Sequence, residues 1–225
     1  MDDKVVAVTG GFGILGRAVV KELAEARARV VAIDIAETST VDGAALELGG
    51  VDGSHPSEAE AAVAAILEKF GRLDALVNIA GGFRWETVAD GAIETWDWLY
   101  QTNVRTAVVM SKAVTEHLPA HGAAIVNVGA AATAKAAVGM GAYTAAKSGV
   151  ARLTEALADE FKDRGIRVNA VLPSIIDTPA NRLDMPKADF DRWVSPEALA
   201  KVVAFLISDN SAAITGALIP VTGRI

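Results

Sequence analysis

The sequence contains no cysteine, which excludes disulfide bonds and thiolate-bound metal sites. It also has no uninterrupted apolar run of the roughly 18 residues that a membrane-spanning helix needs, so we expect no membrane partner. The first residues, 1–5, carry neither the basic nor the apolar region of a signal peptide. These absences fit a reducing compartment, and a cytoplasmic location is the expectation.

An excess of positive charge is lacking as well. The chain has 21 lysines and arginines against 28 aspartates and glutamates, a net charge of −7. Because nucleic-acid binding needs clustered basic residues, this composition argues against a nucleic-acid partner. Histidine is scarce, and none of the three histidines lies in a metal-binding motif. We predict no metal site from them; they are His55, His117 and His121.

Apolar, β-branched runs alternate with helical patterns along the whole chain. Continuous runs of this kind are typical of parallel strands that are covered on both faces. Strands are predicted at Val5–Val8, Val30–Ile33, Ala75–Ile79, Ala124–Val128, Arg167–Leu172 and Ala217–Val221. Helices are predicted near Gly16–Ala26, Glu58–Phe70, Ile93–Leu118, Tyr143–Phe161 and Pro196–Ile207.

This alternation predicts an α/β fold, a single-domain Rossmann-type doubly wound parallel sheet with helices on both faces. The chain has 225 residues and shows no linker and no internal repeat. Residues 1–225 are therefore expected to form one dinucleotide-binding and catalytic domain.

Two helix starts and one short connection can also be predicted. Ser57 and Ser195 are candidate N-caps, and Pro196 suits the first position of a helix. The crossover Ile35–Ala44 is too short for a covering helix. We expect a loop or a single turn there, before a third strand around Leu46–Val51.

A glycine-rich turn follows the first predicted strand and opens the first predicted helix. Glycines let the backbone turn tightly and approach a pyrophosphate, and the helix N-terminus offers unpaired N–H groups. Such a turn is a weak signal alone, but its place in the first strand–helix unit favours a dinucleotide site. The turn reads Thr9-Gly10-Gly11-Phe12-Gly13-Ile14-Leu15-Gly16.

Asp34 lies at the end of the second predicted strand, 18 positions beyond Gly16. A carboxylate there accepts hydrogen bonds from the adenosine ribose hydroxyls and repels a 2′-phosphate, so NAD(H) is predicted over NADP(H). Arg17 and Arg29 are the nearest cations that could oppose this preference. The alternative is a solvated aspartate at a strand end.

Tyr143 and Lys147 are four residues apart at the start of a predicted helix, which places them on one face, one turn apart. A free tyrosine has a pKa of about 10 and is a poor base at neutral pH. A nearby ammonium, and a bound oxidised nicotinamide, would lower this pKa. Tyr143 is therefore predicted to exchange a proton with the substrate during hydride transfer. Because this spacing is common in helices, the prediction depends on the preceding dinucleotide turn.

With these motifs, essentially the whole chain resembles the short-chain dehydrogenase/reductase family. The resemblance implies that Asn103 joins the catalytic pair, bends its helix and holds a water beside Lys147. It also implies a homodimer or homotetramer that pairs through the predicted helices Ile93–Leu118 and Tyr143–Phe161. The motifs that carry it are the glycine turn, Asp34, Val51-Asp52, Asn78-Ile79-Ala80-Gly81, Asn103, Tyr143 with Lys147, and the run from Pro173 to Thr178-Pro179. The cofactor-binding residues that it implies are Gly10, Phe12, Gly13, Ile14, Leu15, Asp34, Asp52, Gly53, Ala80, Gly81, Tyr143, Lys147, Pro173, Ile176 and Thr178.

Three features depart from the family pattern. In the glycine turn, Gly13 and Ile14 stand in the reverse of the order of glycine and another residue that most single-domain members have. Ile79 replaces the second asparagine of the family motif, so position 79 can offer only a backbone contact. The family serine, thirteen residues before the tyrosine, is replaced by Ala130. An alanine cannot hydrogen-bond a developing alkoxide, an interaction that stabilises the transition state of ketone reduction.

The missing serine leaves several possibilities open. Thr133 could substitute for it, or the substrate could supply its own orientation. The run Gly139-Met140-Gly141-Ala142-Tyr143 is similar to dihydropteridine reductases, which use NADH, lack the serine and reduce a quinonoid dihydropterin. Such a conjugated ring accepts hydride readily, so an oxyanion donor matters less. Asn103 fits ordinary dehydrogenases better, so a small carbonyl or alcohol and a conjugated heterocycle both remain candidate substrates. A catalytically inactive NAD-binding regulatory protein is a further alternative, suggested by Ala130 and Ile79.

Residues Ala180–Val194 are expected to cover the small-molecule substrate, again by resemblance. Arg84 and Arg182 could meet a polar or anionic group of the substrate. The alternative is that the aromatic residues simply pack this segment onto the domain. The predicted substrate pocket includes Ala130, Trp85, Met140 and Trp193, with Phe83, Met185 and Phe190 as further apolar candidates.

Overall fold

The computed structural model describes all 225 residues and is built on one sheet of seven parallel strands. The strands are β1 (Val5–Thr9), β2 (Arg29–Ile33), β3 (Ala44–Leu48), β4 (Ala75–Asn78), β5 (Ala124–Val128), β6 (Arg167–Pro173) and β7 (Leu218–Val221). They lie in the order β3-β2-β1-β4-β5-β6-β7. Strand addition therefore changes direction between β1 and β4, and open parallel sheets bind ligands at such a point. The predicted doubly wound parallel sheet is confirmed.

The α-helices are α1 (Ile14–Glu25), α2 (Pro56–Phe70), α3 (Ile93–Leu99), α4 (Thr106–Thr115), α5 (Gly141–Phe161), α6 (Pro179–Asp184) and α7 (Pro196–Ile207). A π-helical segment, Tyr100–Arg105, joins α3 to α4, so the predicted helix Ile93–Leu118 is not one regular helix. The segment predicted to cover the substrate also contains α6 and a 3-10 turn at Phe190–Arg192. No helix combines the length and apolar character needed to cross a membrane.

Alternate residues of β1 supply the two halves of the core. Val6 and Val8 pack on one face of the sheet with apolar residues of α1 and α7. Val5 and Ala7 pack on the other face with α2, α4 and α5. All four side chains are fully buried. This explains why the strand has no polar alternation, since neither of its faces meets water.

Of the two predicted helix N-caps, one is correct and the other is wrong. Ser195 caps α7, because its hydroxyl accepts a hydrogen bond from the backbone N–H of Ala198 at 3.1 Å. The prediction for Ser57 is wrong: the N-cap of α2 is His55, and Pro56 occupies the first helical position. Proline lacks the N–H that a helix start leaves unpaired, so the helix can begin one residue before the serine.

The connection between β2 and β3 contains no helix, as its length predicts. The third strand begins earlier than expected, at Ala44, and its side chains alternate between half-buried and exposed. Glu47 is exposed on this strand and accepts a hydrogen bond from the backbone N–H of Val41 at 2.7 Å. Without a covering helix, one face of β3 meets water, which explains why a polar residue is tolerated there.

Candidate active site

The glycine turn after β1 is built by close backbone approaches. Gly10 has a φ of +67°, and a Cβ at this position would lie 2.8 Å from the amide nitrogen of Ala80. A Cβ at Gly16 would overlap the carbonyl oxygen of Gly10. α1 starts at Ile14 after Gly13, with no side-chain cap on its first N–H groups. These N–H groups are free to bind an anion such as a pyrophosphate.

Asp34 lies beside this turn, just after β2. One carboxylate oxygen accepts from the Phe12 N–H at 3.0 Å and the other from the Ala36 N–H at 3.1 Å. A carboxylate has about four acceptor positions, so both oxygens keep capacity for ribose hydroxyls. Arg17 donates to the carbonyl oxygens of Phe12 at 2.9 Å and Thr40 at 2.6 Å. Its guanidinium is therefore held by the loops on either side of the carboxylate.

Arg29, the other cation considered, opens β2, whereas Asp34 follows the other end of that strand. Its guanidinium donates to the carbonyl oxygen of Asp3 at 3.2 Å and lies over the Phe70 ring. It therefore contributes no positive charge at the carboxylate of Asp34.

A cleft of about 380 Å³ opens beside Asp34 at the ends of β1, β2 and β4. Six residues predicted for cofactor binding line it: Gly10, Asp34, Asp52, Gly53, Ala80 and Gly81. The opposite wall was not predicted and comes from α3 and the segment after it, with Trp98, Gln101, Thr102 and Thr106. Trp98 and Gln101 are three residues apart, a helical spacing that places two side chains on one face. That spacing was the available sequence signal.

The side chain of Asp52 is turned toward the loop that leads into α2. It accepts from the Ser54 N–H at 2.9 Å and lies 3.2 Å from Nδ1 of His55. Burial alone would raise the pKa of this carboxyl, but the hydrogen bonds from Ser54 and the charge of His55 lower it below its ordinary value. Asp52 therefore presents a negative charge at the edge of the cleft.

Thr9 joins the ends of β1 and β4. Its hydroxyl oxygen accepts from the backbone N–H groups of Ile79 at 3.1 Å and Ala80 at 3.2 Å. The Ile79 side chain packs against the core, so this residue does offer only its backbone for polar contacts. The turn that carries Ala80 and Gly81 is held in place by these two bonds.

The remaining residues of the predicted cofactor set lie outside the lining of this cleft. Leu15 is buried in the core, which leaves its backbone for contacts, and Ile14 is half exposed. Thr178 caps α6 by accepting from the Asn181 N–H at 3.2 Å, while the Ile176 carbonyl accepts from Asn181 Nδ2 at 2.7 Å. Pro173 ends β6.

Lys147 and Asn103 meet at Gly81, and Tyr143 precedes Lys147 on the same helix. Tyr143 and Lys147 are one turn apart on α5, and Lys147 is only 6% exposed. Its ammonium donates to the carbonyl oxygen of Val128 at 2.8 Å. A Cβ at Gly81 would lie 2.6 Å from Asn103 Oδ1 and 3.3 Å from Lys147 Nζ. Glycine is therefore needed where the predicted catalytic groups meet the cleft.

Asn103 lies in the π-helical segment and is buried. Its side-chain amide donates to the carbonyl oxygens of Gly82 at 3.0 Å and Leu99 at 2.9 Å, while its Oδ1 accepts from the Gly82 N–H at 3.3 Å. The irregular helix agrees with the bend expected at this residue. These bonds tie the bend to the turn after β4.

Burial governs the protonation of the catalytic pair. It raises the pKa of Tyr143 to about 12, and neither a hydrogen bond nor a charged neighbour opposes the shift. It lowers the pKa of Lys147 to about 8. The expected lowering of the Tyr143 pKa by the ammonium together with an oxidised nicotinamide stays a prediction, because burial outweighs the effect of Lys147 by itself. Loss of water disfavours the phenolate more than this ammonium favours it.

No hydroxyl replaces the family serine at Ala130, which is 4% exposed at the end of β5. Thr133, the candidate substitute, donates its hydroxyl to the carbonyl oxygen of Ala130 at 2.8 Å. The threonine hydroxyl is thus bonded within its own 3-10 turn, and its proton is not directed at Tyr143.

The substrate side of Tyr143 is bordered by aromatic residues. The Phe83 ring meets the Tyr143 ring edge-on, with centroids 5.0 Å apart and planes at 85°. Trp85 packs against Gly139, and Met140 is half-buried beside it. Trp193 is 8% exposed and packs on Phe190, so it has little surface left for a substrate.

Both arginines considered for substrate binding have other partners. Arg84 lies over the Trp98 ring at 5.0 Å and donates to the Thr95 hydroxyl at 3.1 Å. Arg182 makes a two-point ion pair with Asp177, at 2.6 and 2.7 Å, and lies over the Phe190 ring. The pocket therefore offers an apolar wall and no free cation from these two residues.

The comparisons with known proteins agree with this geometry. The family model described as short chain dehydrogenase matches residues 4–188. D-threitol dehydrogenase of Mycolicibacterium smegmatis is 32% identical, over 99% of this chain and 93% of that protein. Cyclopentanol dehydrogenase of a Comamonas species is 34% identical, over 99% and 97%. The crystal structure of 3-ketoacyl-(acyl-carrier-protein) reductase from Brucella melitensis complexed with NADH superposes with a TM-score of 0.86, at 29% identity over 100% of this chain and 99% of that one.

Proposed function

Because this chain belongs to the short-chain dehydrogenase/reductase family, we propose that it is an NAD(H)-dependent oxidoreductase that uses Tyr143 as its acid/base. The observation that carries the proposal is that Lys147 and Asn103 meet at Gly81, in the wall of a cleft that is also lined by Asp34. Tyr143 lies one helical turn before Lys147, so the proposed proton-transfer group is placed beside the proposed nucleotide site.

The cleft fits a nicotinamide dinucleotide. A Cβ at Gly10 or Gly16 would fill the turn beside it, and the first N–H groups of α1 have no side-chain cap. Asp34 would hold the adenosine ribose and repel a 2′-phosphate, which supports NAD(H) over NADP(H). Lys147 would hold the second ribose. The Brucella reductase, of the same fold, is described as complexed with NADH.

Bound NAD(H) would supply or accept the hydride, and the protein groups would handle the proton. With a pKa of about 12, the Tyr143 phenol carries its proton at neutral pH and can donate it to the oxygen or nitrogen of a substrate. Lys147, with a pKa of about 8, is largely charged at neutral pH and favours the resulting phenolate. These groups by themselves suit the reductive direction.

The first candidate substrate is a small, uncharged carbonyl compound or its alcohol. Phe83 and Trp85 supply apolar surface, and Arg84 and Arg182 are engaged elsewhere. The name of one relative, cyclopentanol dehydrogenase, describes a substrate of this kind.

Replacing Tyr143 with phenylalanine tests the proposal. The substitution keeps the ring and removes the hydroxyl, so turnover should fall about 10²- to 10⁴-fold, as expected for loss of a general acid. The affinity for NADH, measured by calorimetry, should change little. Tyr100→Phe is the matched control, because Tyr100 is the only other tyrosine. Full turnover in Tyr143→Phe would reject the catalytic role, and NADH binding without turnover in any variant would support a regulatory protein.

A quinonoid dihydropterin is the second candidate substrate. The supporting observation is that Ala130 has no hydroxyl and that Thr133 donates its own to the Ala130 carbonyl. Ala130→Ser separates the two candidates. A restored hydroxyl should raise ketone reduction about 10-fold or more, since one oxyanion donor is worth about 10²-fold or more. It should leave reduction of a conjugated heterocycle unchanged.

We also infer a homodimer or homotetramer that pairs through the faces of α4 and α5. Val108 of α4 and Tyr100 of the preceding segment keep a large share of their apolar surface exposed. Light scattering of the eluting protein tests this, and a monomer at micromolar concentration would reject it.

A further inference from the structure

A short strap, residues 82–86, crosses from the turn after β4 to the segment before α5. Asn103 holds its first residue, Gly82, by two hydrogen bonds, one to the N–H at 3.3 Å and one to the carbonyl oxygen at 3.0 Å. The N–H of its last residue, Glu86, donates to the carbonyl oxygen of Gly139 at 3.0 Å. The strap is thus fixed at both ends to the elements that carry the catalytic groups.

Trp85 strengthens the second attachment. Its indole packs on Gly139, where a Cβ would overlap the ring. Gly139 has a φ of +75°, a conformation that favours glycine, and α5 begins two residues later. The end of the strap is therefore fixed close to the start of α5, the helix that carries Tyr143.

Phe83 lies between these two attachments. It meets Tyr143 edge-on, at 5.0 Å and 85°, which is a favoured arrangement for two aromatic rings. The hydroxyl that the family serine would supply near the phenol is absent, because position 130 is an alanine. The Thr133 hydroxyl donates instead to the Ala130 carbonyl oxygen.

We propose that Phe83 is a positioning residue for Tyr143. Held in place by Asn103 and Gly139, it orients the phenol by ring contact and shields it from water. The proposal rests on the proposed role of Tyr143 as the acid/base.

The charged side chains around Tyr143, on α5, the strap and the segment after β6, have other partners, so none of them is expected to orient this residue. On α5, Lys147 donates to the Val128 carbonyl, and on the strap, Arg84 is turned onto Trp98. Glu86, also on the strap, accepts from the Ala92 N–H at 3.1 Å. In the segment after β6, Arg182 is paired with Asp177. Burial alone raises the pKa of Tyr143, so a change in shielding is expected to appear directly in its ionisation.

The first test is the ionisation of Tyr143 itself. The chain has two tyrosines, so in a Tyr100→Phe background the phenolate absorbance reports Tyr143 alone. Phe83→Leu in that background keeps an apolar side chain but loses the ring contact and admits water. The midpoint of the absorbance titration should then shift from about 12 toward the ordinary value of about 10. Far-UV circular dichroism at each pH verifies that the titrated protein is folded.

The second test is kinetic. Phe83→Leu should lower kcat about 3- to 10-fold, as expected for loss of one aromatic pair, with the Kd for NADH unchanged. Phe83→Tyr keeps the ring and should restore most of kcat. Phe205→Leu is the matched control, because Phe205 of α7 is also partly exposed, 42% against 52% for Phe83. It should behave like the parent in both tests.

Two outcomes overturn the proposal while leaving the role of Tyr143 intact. One is an unchanged titration and an unchanged kcat in Phe83→Leu, although Tyr143→Phe is inactive. The other is a higher KM for substrate with normal kcat and normal titration, which would limit Phe83 to the apolar surface that it is proposed to offer the substrate. Full activity of Tyr143→Phe, by contrast, would reject the proposed function itself and the positioning role with it.

Discussion

The ammonium of Lys147 lies 2.8 Å from the carbonyl oxygen of Val128, the last residue of β5. This bond connects the start of α5 to the sheet inside the protein, where Lys147 is almost wholly buried. Burial lowers the pKa of the lysine to about 8, so at neutral pH a largely charged group is kept in an apolar setting. The burial of this lysine therefore reduces the stability of the fold.

Lys147→Met should stabilise the protein at pH 7 and abolish turnover. The pKa of Lys147 is about 8 when folded, against an ordinary value of 10.5. Between these values the unfolded chain binds more protons, so the stability of the wild-type protein rises with pH across that range, and below pH 8 the full penalty applies. The penalty is roughly 3 kcal/mol, and loss of the bond to Val128 offsets about 1 kcal/mol of it.

Urea unfolding of both proteins at several pH values measures this. The gain of about 2 kcal/mol at pH 7 should shrink as pH rises from 8 to 10.5. Lys201→Met, on the exposed face of α7, is the control and should show no such trend. A destabilised Lys147→Met at pH 7 would contradict the argument.

Local sequence patterns predicted most of the strands and helices, because the spacing of apolar residues reflects which side chains are buried in the fold. The strand Ala124–Val128 and the helix Pro196–Ile207 have the predicted bounds, since an apolar run or a Ser-Pro start determines them locally. The start of α2 was missed because proline allowed the helix to begin before Ser57. The π-helical segment was missed because the sequence there continues a helical pattern. Asn103 in this segment bonds to Gly82, which is distant in the sequence, and no local pattern reports such a contact.

The residues of the candidate site also divide into those that a local pattern predicts and those that depend on tertiary packing. Gly10 and Asp34 were predicted because each lies directly after a strand, and strand ends meet at one edge of the sheet, whereas Gly81 was implied by the family resemblance. Trp98 was missed because its helical spacing from Gln101 is a weak signal, and only tertiary packing brings that face of the helix to the cleft. Helical spacing carries no information about desolvation, so the rise in the Tyr143 pKa that burial causes could not be predicted from it.

Asp34→Asn should weaken NADH binding about 10- to 100-fold and improve NADPH binding. The amide has no charge, so it forfeits charge-assisted hydrogen bonds of about 1.5–3 kcal/mol and no longer repels a 2′-phosphate. Calorimetry with both cofactors measures the change. Asp42→Asn is a matched control, since Asp42 is exposed in the same β2–β3 connection. Tighter binding of NADPH than NADH by the wild-type protein would reject the role of Asp34.

Gly81→Ala should lower kcat at least about 100-fold with only a moderate loss of stability. The new methyl group would lie 2.6 Å from Asn103 Oδ1 and 3.3 Å from Lys147 Nζ, so both side chains must move. Displacement of catalytic groups by about 1 Å costs about 10²-fold in rate. Gly141→Ala is the control, because its methyl group meets nothing closer than 3.6 Å. Equal rates for the two variants would show that Gly81 has no part in the arrangement.

Arg167→Met should destabilise the fold without changing the kinetic constants. The guanidinium is buried at the start of β6 and donates to the Leu206 carbonyl at 2.7 Å, the Ser208 carbonyl at 3.1 Å and the Ser211 hydroxyl at 2.8 Å. It thereby satisfies the C-terminal carbonyls of α7 and opposes the negative end of the helix dipole. Methionine removes these charge-assisted bonds and leaves the Leu206 and Ser208 carbonyls with only their weaker bonds from Ser211, which should cost about 2–4 kcal/mol.

Urea unfolding and steady-state kinetics on the same preparations separate the two effects. Arg152→Met is the control, because Arg152 makes an exposed ion pair with Glu155 on α5, and exposed pairs contribute less than about 1 kcal/mol. A loss of stability confined to Arg167→Met, with kcat and KM unchanged, would establish that this arginine supports α7 and takes no part in the reaction. Equal stability of the two variants would mean that water satisfies the end of α7 once the guanidinium is gone.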